Sequence, residues 1–131
     1  MGYESKILVV LRHHHKGQIG KDYAELLATV NLSKMRYEFV KLFDKDIDFD
    51  MYLENTENPL TEDKYGDTVK YTDLKSVIDY LKNEIKEDGD KPYRRSIMLL
   101  NLLRAFKNRK TRWQFHSKGD FAKIQIIHYG Y

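Results

Sequence analysis

Five consecutive apolar residues near the start of the chain, Ile7-Leu8-Val9-Val10-Leu11, constrain the fold more than any other stretch. Side chains of a strand alternate between the two faces of its sheet. A run that is β-branched and apolar on both parities, flanked by Lys6 and Arg12, therefore demands a strand covered on both faces or lying centrally in a sheet. Arg12 to Gly20 contains Gly17 and Gly20 among polar residues and reads as a turn or hairpin loop. From Tyr23 to Leu32 the residues Ala24, Leu26, Ala28, Val30 and Leu32 share one parity, while Glu25, Thr29 and Asn31 lie on the other. Ala, Glu and Leu are good helix formers, but a period of two sustained through five positions predicts a second strand, returned beside the first by the loop.

Ser33 is placed to cap a short helix over Met35–Phe43, with Met35, Phe39 and Leu42 or Phe43 on one side. Ile47–Leu53 alternates Ile47, Phe49, Met51 and Leu53 against Asp48, Asp50 and Tyr52, which predicts a half-exposed strand with an acidic outer face. Asn55 to Gly66, with Pro59 and several Asn and Asp, predicts a loop before a short strand at Thr68–Tyr71. Leu74, Val77, Ile78, Leu81 and Ile85 then fall on one face of a helix, with Thr72 or Asp73 as its cap and Asp88-Gly89-Asp90 as its end. Pro92 opens a further helix to about Phe106, with Ile97, Leu100, Leu103 and Phe106 expected inward and Met98, Leu99 and Leu102 widening the apolar face. Ala122–Tyr129 closes the series as a strand. The order β-β-α-β-β-α-α-β, with hairpin-like connections, predicts a single α+β domain over residues 1–131. A mostly antiparallel sheet would form one layer and about three helices the other.

The chain carries a net charge of only +3, but its charges are segregated. Residues 1–43 balance to +3, residues 44–90 to −9 and residues 91–131 to +9. An acidic middle beside a basic end implies two opposed surface fields, one suited to a polyanion or an acidic protein. A hydrophobic content of 41% and 17 aromatic residues, 10 of them Tyr, suffice for a packed core, and Tyr in excess also suits a polar-rimmed binding surface. The absence of cysteine removes disulfides, thiolate metal sites and cysteine nucleophiles, and suits a reducing cytosol. With no apolar run long enough for a signal or a membrane span, the expected location is the cytoplasm.

Several motifs offer chemistry. His13-His14-His15 could place His13 and His15 on one side of a strand as metal ligands, yet His116 and His128 are distant in sequence and no Cys completes a closed site. The expectation is a solvated loop, without metal or cofactor. Asp44, Asp46, Asp48 and Asp50 have the density of a calcium loop, but the sixth and twelfth positions are Phe49 and Asn55 where Gly and Glu are needed. Asp48, Asp50 and Glu54 with a lysine could form a magnesium nuclease, although any acidic strand offers that set. No Gly-x-Ser-x-Gly elbow, Walker loop or dinucleotide fingerprint is present. The basic stretch is the stronger signal: Arg94, Arg95, Arg104, Lys107, Arg109, Lys110 and Arg112 precede Trp113, Phe115 and His116. Cations there can neutralise phosphates while the aromatics stack on unpaired bases. The same cations also suit a helix C-terminus and pairing with the acidic middle segment.

Gly2-Tyr3-Glu4-Ser5-Lys6 ahead of the first strand, Asn31-Leu32-Ser33-Lys34-Met35 after the second, Tyr65-Gly66-Asp67 before the helical half and the closing His128-Tyr129-Gly130-Tyr131 form a familiar pattern. With them the chain resembles small uncharacterised proteins of phages and prophages of Gram-positive bacteria. The resemblance implies a cytoplasmic accessory protein and supplies no mechanism. The expected function is non-enzymatic binding of a macromolecule, such as a host or defence protein, or self-association, through complementary charge. A nucleic-acid-binding module using residues 94–116 is the alternative, and a metal-dependent nuclease the third reading.

Overall fold

In a computed structural model of the protein, which describes residues 4–54, 56–109 and 121–130, the elements run β1 (Ser5–His14), β2 (Tyr23–Ser33), α1 (Tyr37–Val40), β3 (Lys45–Asp46), β4 (Lys70–Asp73), α2 (Leu74–Asp88), α3 (Arg94–Arg109) and β5 (Phe121–Gly130). The described strands form one sheet in the order β2-β1-β5-β4-β3, every neighbouring pair antiparallel. The fold is α+β.

The apolar run of β1 accounts for this arrangement. Its odd residues Ile7, Val9 and Leu11 face the helices, packing with Ile124 and Ile126 of β5, Val77, Ile78 and Leu81 of α2 and Leu99, Leu100 and Leu103 of α3. Its even residues Leu8 and Val10 face the other way, into a second core with Ile127, Tyr71, Phe49, Met51, Leu60 and Val69. That second face is covered by the extended chain between β3 and β4 and not by helices. The alternation predicted as a strand over Ile47–Leu53 is real, but those residues lie across the sheet instead of joining it. Phe49 and Met51 point into the core, and the segment's ladder is reduced to a parallel bridge between Asp50 and Tyr23. Only Lys45 and Asp46 pair as β3, and β4 falls at Lys70–Asp73, two residues beyond the predicted Thr68–Tyr71.

β2 occupies the predicted position with a different facing. The register against β1 shifts between Val9/Ala28 and Val10/Leu26, leaving Leu27 as an extra residue, and shifts again at Leu32. A bulge of one residue reverses the parity beyond it. Ala28 and Val30 therefore face the helices while Ala24 faces the second core. Ser33 ends the strand at a left-handed φ of +55° and caps no helix. The predicted helix over Met35–Phe43 contracts to α1, entered through Arg36 without a side-chain cap.

α2 matches its periodicity. Asp73 Oδ1 accepts from the Ser76 amide at 2.7 Å, and Gly89 stops the helix at a φ of +63°. In α3, Leu99, Leu100 and Leu103 are buried, but Ile97, expected inward, is 37% exposed and Met98 is 70% exposed. Because α3 leans on α2 and the sheet from one side, the wide apolar stripe is only partly covered. The two helices are pinned by a buried polar contact. Ser96 Oγ donates to Glu84 Oε1 at 2.6 Å, with Arg36 Nη1 3.8 Å from the other oxygen of Glu84.

Leu81, fully buried, should cost on the order of 2–5 kcal/mol on truncation to Ala, against less than about 0.5 kcal/mol for Met98→Ala. Denaturant melts of the two variants check the depth assigned to each helix face. A second prediction concerns His128 on the helix face of β5. Its Nε2 lies 2.8 Å from Ser5 Oγ, and its ring packs 5.3 Å from that of Phe43. Burial pushes this imidazole down to about 4 from an ordinary 6.5, with Asp63 opposing weakly. The unfolded chain therefore binds this proton first. The stabilising contribution is whole above about pH 6.5 and is lost as pH falls toward 4, by up to about 3 kcal/mol. Equilibrium melts across this window should show the loss, and His128→Gln should flatten it.

Candidate functional site

The outer face of α3 is built by the helical period. Arg94, Ile97, Met98, Asn101, Arg104 and Ala105 are all exposed and share one side of the helix. Arg94–Arg109 contains no carboxylate, and no ion pair among the described residues involves Arg94, Arg104 or Lys107. Arg95, grouped with them in the sequence, does something else. Its Nη1 donates to the Leu32 carbonyl at 2.9 Å, and its guanidinium lies 5.2 Å from the Tyr93 ring centroid, so it ties α3 to the end of β2. Arg109 closes the helix. Lys110, Arg112, Trp113, Phe115 and His116 lie outside the described residues.

The acidic middle segment does not neutralise this face. Asp88 and Glu84 turn to Arg36 of the first segment, whose Nη2 reaches the two Asp88 oxygens at 3.1 and 3.3 Å and whose guanidinium lies 4.5 Å from the Tyr93 ring centroid. The bonds with Tyr93 and Asp88 push the Arg36 pKa further upward, so the cation is permanent. Asp48, Glu54, Glu57, Glu62 and Asp67 are exposed on the segment that covers the opposite face of the sheet. The sheet thus stands between Arg94 and Arg104 of α3 and this acidic cover, while Lys107 lies within electrostatic reach of Asp79 on α2.

A cleft of about 700 Å³ adjoins the end of α3. β4 leaves the sheet at Asp73 to begin α2, so it pairs with β5 only over Gln125–His128. The preceding residues of β5 pair with β1 alone, and the cleft opens in that gap. Lys45, Lys75, Lys107 and Lys123 line it with Asp73, Leu74 and Ile124. Lys45, Lys75 and Lys123 come from β3, α2 and β5. No local spacing links them, which is why sequence reasoning missed the site.

The histidine triplet belongs to a third cluster. His13 and His14 are part of β1, and His13 is buried, contrary to the solvated loop expected. His13 Nε2 lies 2.9 Å from Glu25 Oε1, and its ring stacks on Tyr23 with centroids 4.7 Å apart; the His15 ring stacks on the same Tyr23 at 5.8 Å. His14 Nδ1 is 2.8 Å from Asp22 Oδ1, which also accepts from Gln18 at 2.6 Å. Arg12 Nε donates to Asp22 Oδ2 at 2.6 Å and its Nη1 to Asp48 Oδ1 at 3.0 Å, while the Tyr71 hydroxyl donates to Asp48 at 3.1 Å. Burial alone would raise the Asp22 carboxyl, but the bonds from His14, Arg12 and Gln18 outweigh it and hold the group below the usual carboxylate range. Asp48, a candidate magnesium ligand, is engaged with Arg12 and Tyr71. Asp50 contributes backbone groups, its amide to the Asp22 carbonyl and its carbonyl to the Ala24 amide. Among the described residues, no three His, Asp or Glu gather as a metal-ligand set.

No protein-family model, curated protein or solved structure matches the chain. No helix of the described residues is long and apolar enough to cross a membrane.

The Arg12 cluster holds the loop ends together, so it acts on stability. Asp22→Asn should cost about 1–3 kcal/mol, because it leaves the largely buried Arg12 with only the exposed Asp48 as a charge partner. Thermal melts of Asp22→Asn, Arg12→Met and the double variant check this. The double variant should be less destabilised than the sum of the single changes.

Proposed function

We propose that the protein is a non-enzymatic accessory protein of phage or prophage type, acting inside the host cell, that binds an acidic protein surface through the outer face of α3. The observation that carries this reading is the exposure of Ile97 and Met98 between Arg94 and Arg104 on a helix without a carboxylate. Apolar side chains flanked by fixed cations suit a protein interface, where a buried apolar centre supplies affinity and the charged rim supplies selectivity and encounter rate. Met in particular adapts to an irregular partner. Phosphates alone would leave Ile97 and Met98 idle.

Nucleic-acid binding is the second reading. It draws support from Arg94, Arg104, Lys107 and the lysines of the cleft, while Trp113 and Phe115, which would stack on bases, lie outside the described residues. Self-association through the same face would set α3 of one copy against the acidic 47–68 segment of another. That contact is heterologous and builds open chains instead of a closed dimer.

The test is a purified 1:1 complex with a partner isolated by affinity capture. Arg94→Glu with Arg104→Glu, and separately Met98→Glu, should each weaken it at least about tenfold, with the melting temperature changed by less than about 2 °C because all three residues are exposed. DNA and RNA binding near 150 mM salt should stay within the roughly 10⁻⁴–10⁻⁶ M of non-specific contacts. Submicromolar nucleic-acid binding lost in the arginine reversals would replace the protein reading with the second one. Concentration-dependent chains in light scattering, lost in the same variants, would replace it with self-association.

A further inference from the structure

The two edges of the sheet are finished differently. β3, at one edge, is two residues long and both are charged, which leaves little backbone to pair and guards what there is. β2, at the other, runs for 11 residues with Glu25 as its only charge and no proline. Its outer backbone groups are engaged at the two ends. The Asp50 amide donates to the Asp22 carbonyl at 2.9 Å and the Ala24 amide to the Asp50 carbonyl at 2.8 Å, while Arg95 Nη1 donates to the Leu32 carbonyl at 2.9 Å. Between these stops, from Glu25 to Asn31, no described residue outside β1 hydrogen-bonds to the backbone of β2. The bulge at Leu27 twists this edge without covering it, and Ala28 to Asn31 run in unbroken register with β1. Thr29 and Asn31 are exposed, and Leu26 is 41% exposed.

We propose that two copies of the chain pair antiparallel through this stretch of β2, about a twofold axis near Ala28, to form a closed dimer with one continuous sheet. An isologous contact must be complementary to itself, and β2 meets that condition. A twofold at Ala28 sets Glu25 of one copy opposite Asn31 of the other and Leu26 opposite Val30, so no like charges face each other. It also brings the two stops together. Leu32, with Arg95 on its carbonyl, falls opposite Ala24 of the second copy, which Asp50 flanks. Neither Arg95 nor Asp50 has an ion pair among the described residues. Opposite charges therefore meet at both ends of the contact, and the symmetry supplies the pair twice. The pairing does not rest on the proposed protein contact of α3, since Arg94, Met98 and Arg104 take no part in it. It closes after two copies, whereas association of α3 with the acidic segment builds open chains.

Sedimentation equilibrium of the full chain tests the pairing. A short strand contact belongs with the small interfaces, so a monomer–dimer equilibrium with a Kd on the order of 10–100 μM is expected. Leu26→Lys with Thr29→Lys, both exposed positions, should weaken the dimer at least about tenfold, because cations on an edge oppose strand pairing. Asp50→Lys keeps the backbone bonds of that residue and should weaken the dimer at least about fivefold, since it turns two attractive contacts repulsive. Thermal melts establish that each variant is folded, and if the double lysine variant melts early, Thr29→Lys alone gives the same comparison. The assignment is overturned by a chain that stays monomeric up to about 500 μM, well above the expected Kd. An undiminished dimer in a folded lysine or Asp50 variant, or one lost in Met98→Glu and kept in the β2 variants, overturns it equally.

Discussion

β1 must be hidden from water on both faces, and the rest of the molecule is arranged to achieve this. Ile7, Val9 and Leu11 bury against helices, while Leu8 and Val10 bury against the chain between β3 and β4. Each such side chain contributes about 1.5–3 kcal/mol when fully removed from water, so leaving either face bare would erase much of the stability of an ordinary domain. A covering segment without regular structure has its own difficulty, since its backbone groups also need partners. Here they find them one at a time: Asp50 with Asp22 and Ala24, Leu60 with Met51, Val69 with Thr61, and Lys64 with Gly130.

That cover is held by polar contacts as well as by Phe49 and Met51. Arg12 reaches Asp22 in the hairpin loop and Asp48 in the cover, and its guanidinium lies 5.0 Å from the Phe49 ring centroid. On the helix side, Arg36 plays a comparable part between Asp88, Glu84 and Tyr93. In both places a cation from residues 1–43 reaches carboxylates of the acidic middle segment, Asp48 in one case and Glu84 and Asp88 in the other. The consequence reaches the surface. With Glu84 and Asp88 committed to Arg36, and Asp48, Glu54, Glu57, Glu62 and Asp67 on the far side of the sheet, Arg94 and Arg104 of α3 stay exposed and outside the ion pairs of the described residues.

The histidine triplet shows how the same logic limits chemistry. A buried His13 stacked on Tyr23 and a His14 held by Asp22 are parts of the seam that closes the β1–β2 hairpin. Their proximity in sequence reflects alternation along a strand. Adjacent residues on a strand point to opposite faces, and the triplet is divided by that geometry.

What was legible in the sequence is what depends on local periodicity. The doubly apolar β1, the helix of Leu74, Val77, Ile78 and Leu81 with its Asp73 cap, the final strand and the α+β order all follow from side-chain spacing along a continuous element. Segregation of charge into an acidic middle and a basic end was equally readable, and so was the basic character of α3. Tertiary structure decided everything that depends on where an element lies relative to its neighbours. The alternation of Ile47–Leu53 looks the same whether the segment pairs in a sheet or lies across one. A single extra residue at Leu27 reverses the facing of β2 without altering its composition. Ile97 is exposed because α3 is covered from one side only, and Lys45, Lys75, Lys107 and Lys123 meet because β4 ends early and opens a gap beside β5. Periodicity reports which side of an element is apolar; contact between distant elements determines whether that side is covered, and which charges are brought together.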